Sequence, residues 1–177
     1  DKAGIEVSIV TNGFALADYV PLLSKHHIRE VQVTLDGTSE VHDKRRFLKG
    51  GGATYTRITE GINMALEAGI EINLRMVVDE ENIENLPDLA RFAIKEGWTG
   101  SKFFKTQLGR NYELHHCQVS SGRLFDRLAM YEAIYQLIKK NPEILEFHKP
   151  AYSVTRFLAE NGELPDPLFD SCPACKT

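Results

Sequence analysis

The sequence predicts an α/β fold in which parallel strands alternate with helices, as in an arc of a (β/α) barrel. Two observations lead to this prediction. Short β-prone runs are each followed by turn residues and then by apolar residues at helical spacing, an order that implies parallel strands joined by right-handed crossovers. Polar and apolar residues alternate within the predicted strands, whereas the strands of a doubly wound sheet are apolar throughout. One face of the predicted sheet is therefore polar.

The first predicted strand, Ile5–Val10, ends at the turn Thr11-Asn12-Gly13. Asp18 is the candidate N-cap of the short helix that follows, because its carboxylate can accept a hydrogen bond from a free amide of the first turn. The second strand, Val31–Leu35, stops at Asp36-Gly37 and leads into a polar loop. The helix after this loop is predicted from its apolar residues, which are Ile58, Ile62, Ala65 and Leu66.

The third strand is Ile70–Val78, and Pro87 and Gly97 mark the start and the end of the helix after it. Lys102–Gln107 is predicted as the fourth strand, and a long helix then stops at Asn141-Pro142. Residues 1–140 are expected to form the partial barrel. Residues 141–177 are expected to form a connector and the start of an auxiliary domain.

The polar face most simply lines the cavity of an incomplete barrel, because buried polar groups need partners that a ligand can provide. The chemistry of barrels lies at the carboxyl ends of their strands. Thr11-Asn12-Gly13 and Asp36-Gly37 lie at such ends, although each is also a common turn sequence. The candidate lumen residues are Gln32, Thr34, Asp36, Asn73, Arg75, Lys105 and Gln107.

Composition and charge narrow the classes of partner. Of the 177 residues, 42% are hydrophobic and 26% are charged, the balance of a domain with a sizeable buried core. A net charge of −4 without a basic stripe gives no support to a nucleic-acid partner. No apolar run approaches the ~20 residues that cross a bilayer, and no signal pattern is seen, so a cytoplasmic protein without a membrane partner is expected.

Cys172 and Cys175 form a C-x-x-C pair near the end of the chain. In a reducing compartment such a pair binds metal or serves redox chemistry more often than it forms a disulfide framework. A thioredoxin-like pair lies between a strand and a helix, whereas this pair ends a proline-rich stretch. Zinc and an iron–sulfur cluster both need further ligands, so the residues alone leave these two alternatives open.

An ordered series of short motifs runs from about Val7 to Val78, and the cysteine pair follows it. The motifs are Thr11-Asn12-Gly13, Val33-Thr34-Leu35-Asp36-Gly37, His42-Asp43-x-x-Arg46, Gly51-Gly52-x-Thr54-Tyr55-x-Arg57 and Gly61. In this order and spacing they resemble radical S-adenosylmethionine (SAM) enzymes of the SPASM group. That group includes the anaerobic sulfatase-maturating enzymes and many peptide maturases.

The resemblance implies a partial (β/α)6 barrel and a [4Fe–4S] cluster that cleaves SAM to a 5′-deoxyadenosyl radical, which then modifies a peptide or protein. It also implies an electron donor for the cluster. The C-x-x-x-C-x-x-C loop and the glycine-rich SAM motif of the family have no match here, so both are expected upstream of Asp1. The chain by itself is therefore expected to be inactive. Cys172 and Cys175 would be the first ligands of an auxiliary iron–sulfur cluster.

The resemblance further implies SAM-binding residues. Thr34 stands where the family often has a serine that faces SAM, and Asn12 lies at the preceding strand end. Arg57 resembles an arginine that can pair with the SAM carboxylate, to which a guanidinium donates two parallel hydrogen bonds. On physical grounds alone Arg75 is the better lumen candidate, because an unpaired guanidinium inside a protein is destabilising.

Other motif residues favour structural roles. Asp36 is predicted chiefly to cap the end of its strand, because Asp-Gly is frequent in turns. His42, Asp43 and Arg46 are predicted to form a local loop network.

Two rival functions differ in class from a radical SAM maturase. One is a (β/α) enzyme that binds a phosphorylated small molecule, which predicts a glycine-rich turn leading directly into a helix. Gly50-Gly51-Gly52 is set back from its strand by a long loop, which weakens this hypothesis. The other is a non-catalytic recognition module that uses the polar face as a docking surface.

Overall fold

The computed structural model describes residues 6–110, 125 and 127–149, and within them four strands form one parallel sheet. The strands neighbour one another in chain order, which confirms the predicted α/β class and the arc of a partial barrel. They are β1 (Val7–Thr11), β2 (Ile28–Thr34), β3 (Ile72–Val78) and β4 (Phe104–Arg110).

Helices connect and follow these strands. Short 3₁₀ turns at Ile83–Asn85 and Trp98–Gly100 flank the helix between β3 and β4. The α-helices are α1 (Leu16–Leu23), α2 (Ser39–Arg45), α3 (Tyr55–Glu67), α4 (Leu86–Lys95), α5 (Arg127–Lys140) and α6 (Ile144–Phe147). No helix in these described ranges combines the length and the apolarity needed to cross a membrane.

The two faces of the sheet differ as predicted. On the face toward the helices the residues of β2 and β3 are apolar and fully buried, and they pack in one cluster with residues of α1, α3 and α4. These strand residues are Val31, Val33, Ile72, Leu74, Met76 and Val78. On the other face, the strand register places Asn73 between Gln32 and Lys105, and Arg75 between Thr34 and Gln107. The polar residues therefore form rows that cross the sheet.

The prediction that Asp18 is the N-cap of α1 is wrong. The helix begins at Leu16, directly after a turn in which the Leu16 amide donates to the Gly13 carbonyl at 3.0 Å. Gly13 has a left-handed φ of +83°, and a Cβ at this position would lie 2.6 Å from a Val33 methyl carbon. The chain thus turns tightly against β2, and the helix starts before the apolar spacing indicates. Asp18 lies in the first turn, and its carboxylate binds Arg57.

The stretch predicted as a polar loop after β2 contains α2. The helix begins where the amides of Val41 and His42 donate to the Thr38 carbonyl at 3.0 and 2.8 Å. His42 is its one fully buried residue, so α2 has no apolar stripe for a periodicity argument to detect. β4 also begins two residues later than predicted, because Ser101 to Phe104 form a turn in which the Phe104 amide donates to the Ser101 carbonyl.

The helices after β4 complete the apolar core. Their buried residues are Met130, Ile134 and Leu137 of α5, with Ile144 and Phe147 of α6. The region predicted as a connector therefore contributes two core side chains before the described part of the chain ends. Cys172 and Cys175 lie outside the described residues.

Candidate functional site

At the amino ends of the strands, the polar face carries an ion cluster. Lys105 Nζ lies 2.8 Å from a Glu30 carboxylate oxygen and also contacts Glu71. The hydrogen bond from Lys105 lowers the pKa of Glu30, and Asn73 Nδ2 donates a longer bond of 3.4 Å to the same carboxylate. Because Lys105 balances only one of these two carboxylates, this end of the lumen offers no positive charge to an anionic ligand.

A pair of glutamines crosses the face one level nearer the carboxyl ends. Gln32 Nε2 donates to Gln107 Oε1 at 2.7 Å, although β3 lies between their strands. The bridge passes between the rows that contain Asn73 and Arg75. The lower part of the lumen thus contains polar groups that bond one another, except that Asn73 Oδ1 is buried without a hydrogen-bond partner among the described residues.

Arg75 lies above this bridge and differs from Lys105 below it, which has carboxylate partners. No carboxylate within the described part of the chain forms an ion pair with it, and its Nε is fully buried without a hydrogen-bond partner there. Thr34, its neighbour in the register, is half-buried and lies on the same face. A buried donor without a partner is costly, so this row favours a ligand that carries acceptor oxygens.

Asp36 lies in a buried ion cluster instead of open to the lumen. Its Oδ2 accepts a hydrogen bond from Arg46 Nε at 2.8 Å and lies 3.5 Å from Arg45 Nε. Its Oδ1 accepts from the Val77 amide at 3.3 Å. Arg45 also donates to both carboxylate oxygens of Asp79, at 3.3 and 2.7 Å. The cluster joins the ends of β2 and β3, which is the kind of structural role that the Asp-Gly turn favours.

His42 lies in a series of hydrogen bonds in which every donor points the same way along the series. The Asp36 amide donates to His42 Nδ1 at 3.1 Å, which places the ring proton on Nε2. Nε2 then donates to Thr54 Oγ1 at 3.2 Å, and the Thr54 hydroxyl donates to the Arg46 carbonyl at 2.7 Å. Burial lowers the pKa of His42, which favours the neutral ring that this series of hydrogen bonds requires. With Asp43, which accepts from the Thr54 and Tyr55 amides, these bonds confirm the predicted loop network.

Sequence reasoning missed Arg45, Asp79 and Asn82. Asn82 Nδ2 donates to the carbonyls of Asp36 and Val77 at 2.9 and 2.8 Å, and its Oδ1 accepts from the Asp79 amide at 2.8 Å. The missed signal is that Asp79 follows β3 directly, as Asn12 follows β1. Asx residues at successive strand ends are therefore the common feature of this edge of the sheet.

Asn12 and Arg57 have local partners. Asn12 Oδ1 accepts from the Phe14 amide at 3.1 Å, which forms an Asx turn and leaves the Nδ2 hydrogens to other acceptors. Arg57 Nη2 lies 2.7 Å from both carboxylate oxygens of Asp18, and its guanidinium carbon lies 5.7 Å from the Phe14 ring centroid. Arg57 thus ties α3 to α1 at the edge of the helix layer.

Cavities adjoin the sheet at both of its ends in the described part of the structure. One of about 330 Å³ lies at the ends of β1 and β2, where Asn12, Arg46, Phe47 and Leu48 contribute to its walls. The other, of about 740 Å³, borders both faces of β4 and includes the Glu30–Lys105 region at the amino ends of the strands. The larger cavity thus extends from the amino ends of the strands to Gln107 and Leu108 of β4, the level of Arg75 in the register.

No group of three or more His, Cys, Asp or Glu side chains in the described ranges is arranged to hold a metal ion. None of the described residues is a cysteine, so they supply no thiolate for an iron–sulfur cluster.

Comparisons with known proteins give a family and several relatives. The family model for the radical SAM superfamily matches residues 1–93. A serine-type anaerobic sulfatase-maturating enzyme from Bacteroides thetaiotaomicron is 33% identical over 88 residues, which cover 50% of this chain and 21% of that enzyme. A GTP 3′,8-cyclase from Rhizobium etli is 33% identical over 93 residues, which cover 52% of this chain and 26% of that protein.

A probable GTP 3′,8-cyclase from Sulfurisphaera tokodaii is 25% identical over an alignment of 177 residues, which covers 96% of this chain and 52% of that protein. The chain thus spans between 21% and 52% of the length of these curated relatives.

Solved structures of anSMEcpe share the fold. Native anSMEcpe with bound AdoMet, which is SAM, and the Cp18Cys peptide superposes with a TM-score of 0.68 at 13% identity, covering 90% of this chain and 44% of that one. Native anSMEcpe with bound AdoMet gives a TM-score of 0.64 at 14% identity, covering 90% and 43%. Likeness at this identity supports the architecture of the partial barrel.

Proposed function

The chain belongs to the radical SAM superfamily, and we propose on this basis that it forms the SAM-facing part of an enzyme that modifies a peptide or protein. The superfamily supports the expected cofactors, SAM and a [4Fe–4S] cluster. Together these cofactors, when bound, supply a 5′-deoxyadenosyl radical that takes a hydrogen atom from the substrate. The residues of the protein bind and orient these groups and shield them from water.

The observation that carries the proposal is that Arg75 has no acidic partner among the described residues. Its guanidinium lies on the polar face with a buried Nε, and no acid of the described residues neutralises it. The SAM carboxylate supplies the missing charge, and a guanidinium is suited to it because it donates two parallel hydrogen bonds. The donor set present therefore fits SAM, with Arg75 toward the carboxylate and the Thr34 hydroxyl beside it.

Asn12 and Arg57 differ in which of their donor groups are free to bind SAM. Asn12 keeps its Nδ2 donors for SAM while its Oδ1 holds the Asx turn. Arg57 reaches SAM only if it exchanges Asp18 for the SAM carboxylate. We therefore place Thr34 and Arg75 first among the SAM contacts, Asn12 next and Arg57 last.

The remaining lumen residues are proposed to shape the floor beneath SAM and the substrate. Gln32 and Gln107 form a neutral bridge, and Lys105 is held by Glu30 and Glu71. Asn73 contributes an amide to the same layer, and Asp36 fixes the strand ends from its ion cluster. This floor offers no unpaired cation to an anionic group, so the SAM carboxylate is expected to lie near Arg75.

The cluster ligands are assigned separately, because the described residues hold no cysteine. We propose Cys172 and Cys175 as ligands of an auxiliary iron–sulfur site, supported by the family resemblance and by their C-x-x-C spacing. Iron and sulfide analysis of the intact protein tests this assignment. Replacing Cys172 and Cys175 by serine is expected to lower the iron content without abolishing it, and an unchanged content contradicts the assignment.

A polypeptide substrate is supported by the maturating-enzyme relative and by the peptide-bound anSMEcpe structure. The GTP 3′,8-cyclases make a purine nucleotide the second candidate, since one of them aligns with 96% of this chain. The two candidates are separated by incubating the intact protein with SAM and with either GTP or a peptide library, followed by mass spectrometry of the products. A modified peptide supports the first candidate, and a cyclised nucleotide supports the second.

The central test measures 5′-deoxyadenosine and SAM affinity in the intact, anaerobically reconstituted protein with an external electron donor. Arg75→Gln is expected to weaken SAM binding at least about tenfold, because a hydrogen bond to a charged group contributes roughly 1.5–3 kcal/mol. Thr34→Val is expected to weaken binding less, and Thr34→Ser is its matched control because it keeps the hydroxyl. Arg29→Gln controls for the loss of a cation, since Arg29 is exposed on the same strand as Thr34.

Formation of 5′-deoxyadenosine together with the loss of affinity in Arg75→Gln supports the proposal. Absence of 5′-deoxyadenosine despite bound iron would return the choice to the phosphate-binding enzyme or the recognition module. Unchanged SAM affinity in Arg75→Gln would contradict the placement of the carboxylate.

A further inference from the structure

Gly109 of β4 determines how closely Arg75 approaches the sheet. The strand register places Gly109 opposite Val77, one same-face position beyond Gln107, which lies opposite Arg75. A Cβ at Gly109 would lie 2.9 Å from Arg75 Nε, 3.1 Å from Nη2 and 3.4 Å from Cζ. These distances place that carbon in front of the edge formed by Nε and Nη2. The guanidinium therefore rests this edge against the backbone of β4, in space that any other residue would fill.

The backbone conformation does not explain why this residue is glycine. Among the described glycines, five have a positive φ, namely Gly13, Gly37, Gly51, Gly69 and Gly97, and Gly109 is not one of them. A residue with a side chain can therefore adopt the conformation of Gly109 without strain. A glycine inside a strand often marks a close approach by another group, and here the approaching group is Arg75.

The contact leaves the other edge of the guanidinium for a ligand. Nε is the one nitrogen of Arg75 that is fully buried without a partner in the described residues, so Nη1 and Nη2 remain accessible. With Nε held against β4, the terminal nitrogens have a fixed position above the Gln32–Gln107 bridge. A preorganised guanidinium loses less side-chain entropy when it binds an anion.

We propose that Gly109 is a positioning residue for the SAM carboxylate, an inference that rests on the function proposed above. By lacking a side chain, Gly109 lets Arg75 lie on β4 and sets where its terminal nitrogens meet the carboxylate. An added methyl group moves the guanidinium outward, because carbon and nitrogen atoms do not pack closer than about 3.5 Å without repulsion. Gly109 touches no reacting atom and acts only through Arg75.

A double-mutant cycle on the intact, cluster-loaded protein tests this inference. The SAM dissociation constant is measured by calorimetry for the wild type, Gly109→Ala, Arg75→Gln and the double variant. Gly109→Ala is expected to weaken SAM binding about tenfold, since moving Nε from 2.9 Å to about 3.5 Å from the new Cβ shifts the terminal nitrogens away from a bidentate geometry. In the Arg75→Gln background the same change is expected to have less than about a twofold effect, because glutamine lacks the terminal nitrogens whose position Gly109 sets.

Two controls separate positioning from a general effect on the fold. Gly100→Ala adds the same methyl group where nothing lies within 4 Å and should leave SAM affinity unchanged. Alanine is tolerated better than glycine inside a strand, so the midpoint of thermal unfolding of Gly109→Ala should not be lower than that of the wild type. If Gly109→Ala weakens binding equally in both backgrounds, or does not weaken it at all, the positioning role is refuted. If instead Arg75→Gln binds SAM with the affinity of the wild type, the contact between Arg75 and the SAM carboxylate that the proposed function requires is contradicted.

Discussion

Arg46 and Arg75 show how a neighbouring acid decides what an arginine does in this fold. Arg46 donates Nε to the buried carboxylate of Asp36 at 2.8 Å, so its charge is used to hold the loop after α2. Arg75 has no such acid among the described residues and lies on the face where polar side chains line the lumen. Two arginines of similar burial therefore differ in role, because a paired guanidinium fixes structure and an unpaired one is available to bind an anion.

His42 provides a prediction at the same scale. We expect the neutral Nε2–H tautomer, with a titration midpoint below the ordinary value of 6.5, because burial lowers the pKa of His42. Between that midpoint and 6.5 the unfolded state binds more protons than the folded state. The contribution of His42 to the free energy of unfolding is therefore complete above about pH 6.5 and decreases as the pH falls below it.

Nitrogen-15 NMR of the imidazole ring, recorded against pH, measures both the tautomer and the midpoint. An Nδ1–H tautomer would contradict the hydrogen-bond direction from the Asp36 amide. A midpoint at or above 6.5 would contradict the effect of burial.

At the scale of elements, the side chain that caps the amino end of α3 is Asp43, which lies eleven positions before the N-cap residue Thr54. Thr54 precedes the helix but makes no side-chain cap bond, and the free amides of Thr54 and Tyr55 donate to Asp43 Oδ1 at 2.7 and 2.9 Å. Asp43 belongs to α2, so this cap joins two helices and also fixes the loop between them. Its negative charge also interacts favourably with the amino end of the helix dipole.

We expect Asp43→Ala to lower the free energy of unfolding by about 1–2 kcal/mol, the usual effect of losing a helix cap. Asp43→Asn should retain most of this stability, because its amide oxygen still accepts both hydrogen bonds. Urea denaturation measures the difference. Glu60→Ala, an exposed acidic residue of α3, is the matched control and should change stability by less than about 0.5 kcal/mol. An Asn variant as unstable as the Ala variant would show that charge, and not hydrogen bonding, provides the stabilisation.

At the scale of the whole molecule, the sheet has two ends with different properties. The amino ends hold Lys105 between the carboxylates of Glu30 and Glu71, whereas the carboxyl half carries Arg75 without a described acid. Ion pairs around Asp36 connect the strand ends to the loops beyond them. The carboxyl half of the polar face therefore combines a fixed scaffold with a charge available to a ligand.

This asymmetry predicts where SAM slows hydrogen exchange in the intact protein. Amides at residues 34–37 and 75–79 should exchange more slowly when SAM is added, because a ligand stabilises the structure that it contacts. Amides at residues 28–30, at the opposite ends of the strands, should change little. Mass spectrometry of proteolytic peptides measures both regions. Protection confined to 28–30 would place the ligand at the wrong end and contradict the proposed site.

Local patterns in the sequence determined the alternation of strands and helices, the polar face and the family. Gln32, Thr34, Asn73 and Arg75 could be assigned to one face because side-chain direction in a strand alternates with a period of two. The helix α2 could not be predicted in this way, since it buries only His42, and the start of α1 depended on how tightly Gly13 packs against Val33.

Only the tertiary structure decided which charged residues neutralise one another. Arg45, Arg57 and Arg75 look alike in the sequence, yet they lie against Asp79, Asp18 and Gly109 respectively. Pairings across 34 or 39 positions depend on how the elements pack and not on neighbouring residues along the chain. Electrostatic interactions act through space, so the sequence named the charged candidates, and the packing of β3 against β4 left Arg75 on the polar face without an acidic partner among the described residues.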